Sequence, residues 1–181
     1  MIKNNFIKKF QNIIPFISYQ KINNESILTI SKNCLIFNFY ILKKQIFYQY
    51  NILSCISGLD LIEKKYRFCI VYDLLSVTFN TRLRIKLFID AITTIFSINN
   101  IFRNSNWWER EIWDLFGVYF ENHPDLRRLL TDYGFEGYPL RKDFPLSGYI
   151  EIRYDILEKR MVSEPLELAQ EFRTFTFEMP W

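Results

Sequence analysis

A strict alternation of charged and aliphatic residues near the middle of the chain most constrains its fold. In the segment from Arg82 to Leu87, cations occupy positions 82, 84 and 86 and aliphatic side chains occupy positions 83, 85 and 87. A period of two predicts a strand with one face in water and the other face buried. Such a strand favours an antiparallel or mixed sheet with helices packed on one side.

The neighbouring segments predict the other elements of this sheet. Residues 25–31 are β-prone and predict a strand, whereas residues 32–44 suit a helix of about three turns and leave a strand open as the alternative. Two apolar runs, 45–57 and 66–77, predict a hairpin whose polar connection begins at Gly58. A short amphipathic helix is predicted before Pro15. The expected fold class is therefore α+β.

Several independent signals predict a helix over residues 105–117. Asn106 with Glu109 three residues later resembles a capping box, and Gly117 is placed to end the helix. Trp108 and Ile112 lie on the apolar face at helical spacing. The helix is expected to be amphipathic and well bounded.

Beyond Phe120, prolines and glycines recur too often for another long packed element. The sequence predicts an α+β domain over residues 1–120 and an extended, proline-punctuated arm over residues 121–181. One short strand is expected at residues 149–154. Because the arm still carries large apolar side chains at intervals, it is expected to lie across a neighbouring protein.

Composition excludes several kinds of site. Three cysteines without paired spacing and one histidine argue against a zinc or iron–sulfur site within this chain. The five glycines form no phosphate-binding loop. Residues 1–108 carry 14 Lys and Arg against 5 Asp and Glu, a formal charge of +9, which leaves a nucleic-acid module as one alternative.

The charged residues of the 105–117 helix allow two interpretations. Glu109 and Glu111 flank Arg110, and with His123 they could form the acid–base site of a stand-alone hydrolase or transferase. Alternatively, these charges and Asp114 hold the following loop on the helix. The sequence shows no adjacent nucleophile or second histidine to complete a catalytic set.

A group of charged residues in the arm suits an interface. Arginine binds carboxylates through two parallel hydrogen bonds, and neighbouring prolines hold the backbone extended before docking. The alternative is a set of solvated charges in a loop. The residues are Arg127, Arg128, Arg141, Lys142 and Asp143.

Two blocks of residues between about 105 and 154 form a specific pattern, in the segments Glu109–Glu111, Asp114–Gly117, His123–Leu130 and Glu136–Leu146. In order and spacing these segments resemble the 30-kilodalton subunit family of respiratory complex I. The family pattern differs mildly at Tyr138 and Phe144, where it usually has histidine and tyrosine.

This resemblance implies a subunit of the peripheral matrix arm of proton-pumping NADH:ubiquinone oxidoreductase, in its quinone-reducing module. It implies packing against the 49-kilodalton and iron–sulfur subunits, with FMN, iron–sulfur clusters and ubiquinone held by partner subunits and none by this chain. Membrane association would come only through the complex, and no nucleic acid is expected. The residue bias typical of AT-rich genomes and the lack of an import sequence suggest an organelle-encoded protein on the matrix side of the mitochondrial inner membrane, with an AT-rich bacterium as the alternative source.

The resemblance and the residue pattern together assign two sets of roles. A structural signature is expected to fix the helix to the turn that follows it, and the charged arm residues are expected to face partners. The signature residues are Glu109, Arg110, Glu111, Asp114, Gly117, His123 and Pro124.

Overall fold

The computed structural model describes residues 14–22, 25–168, 170, 172–179 and 181. The predicted amphipathic helix before Pro15 lies outside these residues. The described elements, in chain order, are β1 (Ser18–Ile22), β2 (Glu25–Ile30), a 3₁₀ turn (Lys32–Cys34), α1 (Leu35–Lys44), β3 (Ile52–Asp60), β4 (Phe68–Ser76), β5 (Thr81–Ile89), β6 (Ile95–Phe96), α2 (Ser105–Phe116), β7 (Phe120–Glu121), β8 (Ile150–Asp155) and β9 (Arg160–Pro165).

Five strands form a mixed sheet in the order β1-β2-β5-β4-β3. Strands β2 and β5 pair in parallel, and the other neighbours are antiparallel. Strand β5 follows the predicted alternation: Leu83, Ile85 and Leu87 are buried, whereas Arg82 is exposed. Leu87 lies opposite Ile70 of β4, so aliphatic side chains of adjacent strands share the buried face.

Both helices pack on that buried face and confirm the α+β prediction. Phe39 of α1 contacts Tyr72 of β4 edge-to-face, with ring centroids 5.0 Å apart. Phe116 of α2 contacts Phe68 in the same way at 6.3 Å. Burying each such side chain stabilises the fold by roughly 1.5–3 kcal/mol, so these contacts position the helices on the sheet.

The predicted hairpin of β3 and β4 forms, but its connection begins later than predicted. Strand β3 continues through Gly58 to Asp60, which pairs with Phe68. A side chain at Gly58 would bring its Cβ within 2.8 Å of the Phe116 ring. The glycine therefore makes room for α2 inside a strand, and its interpretation as a turn residue was wrong.

The chain divides into two compact units, residues 1–142 and residues 143–181, and not at residue 120 as expected. Residues 121–142 belong to the first unit because their backbone is hydrogen-bonded to it. Leu140 N donates to Leu115 O at 3.1 Å, and Lys142 N donates to Asp60 Oδ2 at 2.9 Å.

The second unit contains the antiparallel hairpin of β8 and β9, which confirms the strand predicted at residues 149–154. Ile152 and Tyr154 lie on one face and are exposed. On the other face, Arg153 forms two hydrogen bonds of 2.7 Å with Glu164. Because an isolated two-stranded hairpin is only marginally stable in water, this unit is of the kind that gains stability from a partner.

Candidate functional site

Helix α2 presents the charged residues of the site, and its two ends differ in how well they were predicted. Gly117 ends the helix in the left-handed region at φ 76°, as expected. The predicted capping box is wrong, because the N-cap residue is Asn104. The side-chain amide of Asn104 donates to Leu53 O at 2.7 Å, and Glu109 faces the loop before the helix.

The carboxyl group of Glu109 is fully buried between α2 and that loop. It accepts hydrogen bonds from Ser97 Oγ at 2.5 Å and from Ile98 N at 2.9 Å. Burial raises the pKa of Glu109 to about 7, although the hydrogen bonds from Ser97 and Ile98 act in the opposite direction. The group therefore binds a proton at a higher pH than an exposed carboxyl group does.

His123 lies beside Glu109, with its Nε2 atom 3.7 Å from Glu109 Oε2, and both side chains are buried. Its Nδ1 accepts a hydrogen bond from Asp125 N at 3.1 Å, and its Nε2 lies 3.2 Å from the Asn106 carbonyl. Burial, and then the charge of Arg110, hold the pKa of His123 below its usual value. These contacts select the neutral ring with the proton on Nε2, donated to a backbone carbonyl.

Arg110 binds the backbone of the segment that follows His123. Its side chain is buried, Nε donates to Arg127 O at 3.1 Å, and Nη2 donates to Arg128 O at 3.3 Å. Two backbone carbonyls of the turn are thereby satisfied by one planar guanidinium group.

Asp114, one helical turn later, holds the next backbone groups of the same segment. Its buried carboxylate accepts hydrogen bonds from the backbone N–H groups of Leu129, Leu130 and Thr131 at 3.2, 2.7 and 2.9 Å. Thr131 Oγ1 and Arg128 Nη1 add bonds of 2.6 and 3.1 Å. Burial alone would raise the pKa of Asp114, but the combined hydrogen bonds hold it below its usual value.

We call Glu109, Arg110, Asp114 and His123 the α2 clamp, because together they fasten residues 97–98 and 123–131 to the helix. Arg110 binds backbone carbonyl groups of the following segment, and Asp114 binds backbone N–H groups of the same segment. Glu111 is half-buried and takes no part in these contacts among the described residues, and Pro124 is exposed.

Two of the predicted interface arginines make their contacts inside the chain. Arg128 bonds to Asp114 and donates to Gly137 O at 3.0 Å, with its guanidinium carbon 5.2 Å from the centre of the Tyr138 ring. Arg141 donates from Nε to Phe116 O at 2.6 Å and lies 4.3 Å from the same ring. Their charges therefore serve the packing of residues 128–141 on α2.

The other three predicted interface residues are placed differently. Arg127 is 74% exposed in its side chain and pairs with Asp125 at 2.9 Å in its own loop. The side chain of Lys142 is exposed, and Asp143 is an exposed residue at the start of the second unit. Partner contact at these positions stays a prediction.

Asp60 makes buried contacts that the sequence interpretation missed. It is buried at the end of β3 and accepts bonds from Arg67 at 2.9 and 3.0 Å and from Lys142 N at 2.9 Å. The hydrogen bonds from Arg67 are the largest influence that holds the pKa of Asp60 below its usual value. The sequence feature that could have indicated this role is an acidic residue at the end of an otherwise largely apolar strand.

The geometry does not support the hydrolase interpretation. The side chains of Glu109 and His123 are both 0% exposed, so a substrate cannot reach them, and the His123 proton faces a carbonyl oxygen. Within the described ranges, no group of three His, Cys, Asp or Glu side chains is placed to hold a metal ion. No helix in the described part of the chain has the length and apolar character required to cross a membrane.

The raised pKa of Glu109 predicts a specific pH dependence of stability. A carboxyl group with a folded-state pKa above its ordinary value binds a proton more tightly in the folded chain. Its contribution is therefore full below about pH 4.5 and is lost as the pH rises to about 7. The lost contribution is roughly 3 kcal/mol, at 1.36 kcal/mol per pH unit.

Urea unfolding of the full chain and of Glu109→Gln between pH 4.5 and 8 measures this effect. We expect the stability of the original chain to fall relative to the variant up to about pH 7 and then to run parallel. His123 is present in both proteins, so its titration largely cancels. Glu111→Gln is the control, and a difference in stability between the Glu109→Gln variant and the original chain that does not change with pH would contradict the prediction.

The chain is similar to known respiratory-chain subunits along most of its length. Residues 28–150 match the family described as respiratory-chain NADH dehydrogenase, 30 Kd subunit. NADH-ubiquinone oxidoreductase subunit 9 of Reclinomonas americana is 53% identical over 97% of this chain and 85% of its own length. NADH dehydrogenase (ubiquinone) iron-sulfur protein 3 of Arabidopsis thaliana is 56% identical over 77% of this chain and 74% of its own.

A solved structure shares the fold. A chain of the membrane-bound sulfane sulfur reductase, an archaeal respiratory membrane complex, superposes with a TM-score of 0.69. The two chains are 21% identical, and the match covers 81% of this chain and 87% of that chain.

Proposed function

This chain belongs to the family of the 30-kilodalton subunit of respiratory-chain NADH dehydrogenase, and on that premise we propose that it is a structural subunit of the enzyme's quinone-reducing module. It is a subunit of NADH–ubiquinone oxidoreductase, as the resemblance in the sequence implied. The observation that carries the proposal is 53% identity along 97% of the chain to a subunit of that enzyme. Its role is assembly of the path by which electrons pass from NADH to ubiquinone.

The second part of the proposal is that this chain holds none of the redox groups. The number of cysteines supports it, because iron–sulfur clusters use four thiolate ligands and the chain has three cysteines. Cys55 lies opposite Asp73, and Cys69 lies opposite Leu59. The charged residues of the α2 clamp bind backbone groups and are buried. FMN, iron–sulfur clusters and ubiquinone would then be held by partner subunits.

The proposed partners are the 49-kilodalton and iron–sulfur subunits, on the matrix side of the mitochondrial inner membrane. Membrane attachment would come through the complex. The support lies in two surfaces: the exposed charges at Arg127 and Lys142, and the apolar face of the β8–β9 hairpin, where Ile152 and Tyr154 are more than half exposed. Exposed apolar side chains on a marginal hairpin are typical of a segment that docks on another protein.

A native separation of gently solubilised membranes tests the proposal. The tagged chain is expected to migrate with NADH dehydrogenase activity in a very large assembly, with the 49-kilodalton subunit identified by mass spectrometry in the same band. Recovery only as a small soluble species would contradict it.

Charge reversal at Arg127 tests the interface separately from the fold. The exposed Arg127–Asp125 pair contributes less than about 1 kcal/mol to stability, so Arg127→Glu should fold normally. An interface arginine that anchors a partner contributes about 2 kcal/mol or more, and we expect about thirtyfold weaker retention in the assembly, measured by native gel. Lys64→Glu, an exposed change in the β3–β4 connection, is the control; equal retention of both variants would remove Arg127 from the interface.

A further inference from the structure

Helix α1 is apolar on more sides than its own sheet can cover. Seven of its ten residues, in the sequence LIFNFYILKK, are apolar or aromatic. Leu35, Phe39 and Leu42 are 0% exposed against the sheet. A helix that is apolar all round is normally buried all round. This sheet, however, meets only one face of α1.

The outward face of α1 carries three bulky apolar side chains close together. Ile36, Phe37 and Tyr40 are 39%, 54% and 57% exposed. Ile36 and Tyr40 are four residues apart and form one ridge, and Phe37 and Tyr40 are three residues apart and form the crossing row. Ridges with this spacing fit the grooves of a second helix.

Positive charge borders this apolar face at both ends. Lys32 and Lys44 are exposed, one before the helix and one at its last residue. They are separated by about 18 Å along the axis at 1.5 Å per residue. Lys43 differs, because its ammonium group donates to Ile101 O and lies over the Phe102 ring. The helix sequence contains no acidic residue.

We propose that the outward face of α1 is a docking site for an acidic amphipathic helix of another subunit of the oxidoreductase. The partner helix presents an apolar stripe to Ile36, Phe37 and Tyr40 and carboxylates, three to four turns apart, to Lys32 and Lys44. This inference rests on the proposed function, since it requires the assembled complex. A second copy of this chain is a poor occupant, because it would bring lysines against lysines.

Zero-length carbodiimide coupling of the intact oxidoreductase, followed by mass spectrometry, tests the charge complementarity. We expect Lys44 or Lys32 to couple to Asp or Glu within a helical segment of one other subunit. Lys43 is the internal control and should not couple. We also expect acetylation of Lys32 and Lys44 to be about tenfold slower in the complex than in the separated chain, because an occupied interface excludes water and reagent.

A variant separates the contact from assembly in general. Phe37→Glu should abolish the coupling to the acidic helix while the variant chain still enters the complex. Ile92→Glu is the control: its side chain is 94% exposed in the first unit, and the variant should leave the coupling unchanged. Coupling to lipid or to a second copy, or fast acetylation of both lysines in the intact complex, would overturn the inference. Absence of the unmodified chain from the complex would instead overturn the proposed function.

Discussion

Replacing Asp114 with alanine is expected to lower the free energy of unfolding by about 3 to 5 kcal/mol, the range for removing one partner of a buried charged contact. The carboxylate is fully buried and accepts bonds from three consecutive backbone N–H groups, from Thr131 Oγ1 and from Arg128. Without it, those N–H groups lose their acceptor, and the Arg128 guanidinium loses its anion. Urea unfolding of the full chain measures the loss.

Asp114→Asn separates charge from shape. The amide is similar in size, but its NH₂ group faces donors where the carboxylate offered a second acceptor. We therefore expect it to recover only a small part of the lost stability. Asp125→Ala is the matched control, since its ion pair with Arg127 is exposed and contributes less than about 1 kcal/mol. Similar losses for Asp114→Ala and Asp125→Ala would contradict the assigned role of the clamp.

The lowered pKa of Asp114 makes its contribution to stability depend on pH. A carboxyl group whose folded-state pKa is depressed stabilises the fold above its ordinary pKa and loses that contribution as the pH falls through the folded value. The Asp114 contribution is therefore constant at neutral pH and disappears only in acid. Glu109 acts in the opposite sense and over a higher range.

Gly117→Ala is expected to cost about 3 kcal/mol, of which 1 to 2 kcal/mol is the strain of a side chain in the left-handed region and the rest is displacement of neighbours. Gly117 has φ 76°. An added Cβ would collide with Arg141 Nη2 and approach the Tyr138 ring to 2.7 Å. The packing of residues 138–141 on the end of α2 would therefore loosen, as hydrogen exchange of Leu140 N–H in the full chain would show.

Gly134→Ala is the matched control for this substitution. Gly134 has a similar φ of 72°, but nothing lies within 4 Å of its added Cβ. It measures the backbone strain alone, so the difference between the two variants reports the contact with Arg141 and Tyr138. Equal costs for the two variants would show that Gly117 is needed only for its backbone angle.

The sequence predicted the local elements well where one physical pattern dominated. The alternation of charged and aliphatic residues predicted strand β5. A glycine after an amphipathic segment predicted the C-terminal end of α2. It failed at Gly58, since a glycine that ends a strand and one that admits a neighbouring ring look alike in sequence. The capping box failed because the Glu109 carboxyl found donors at Ser97 and Ile98.

For the candidate site, the residue set was largely predictable, but the contacts of its members were not. Arg110, Asp114 and His123 connect α2 to residues 123–131, whereas Glu109 binds Ser97 and Ile98 before the helix. Glu111 shares the same helix yet stays outside the clamp, because side chains one and two positions apart on a helix point in different directions. Arg128 and Arg141 were predicted to face a partner. The sequence did not show that both would instead contact the Tyr138 ring and α2 within the chain.

The sequence by itself determined the α+β class, the C-terminal end of α2 and, through the motifs between residues 105 and 154, membership of the 30-kilodalton subunit family. These properties depend on periodicity and on the order of short motifs, which are local. Only the tertiary structure decided which backbone atoms Asp114 binds, that Asp60 reaches Lys142 N across 82 positions of the chain, and which face of α1 stays exposed. Such contacts depend on the register of strands and the packing of helices, which bring distant residues within hydrogen-bond distance only after folding.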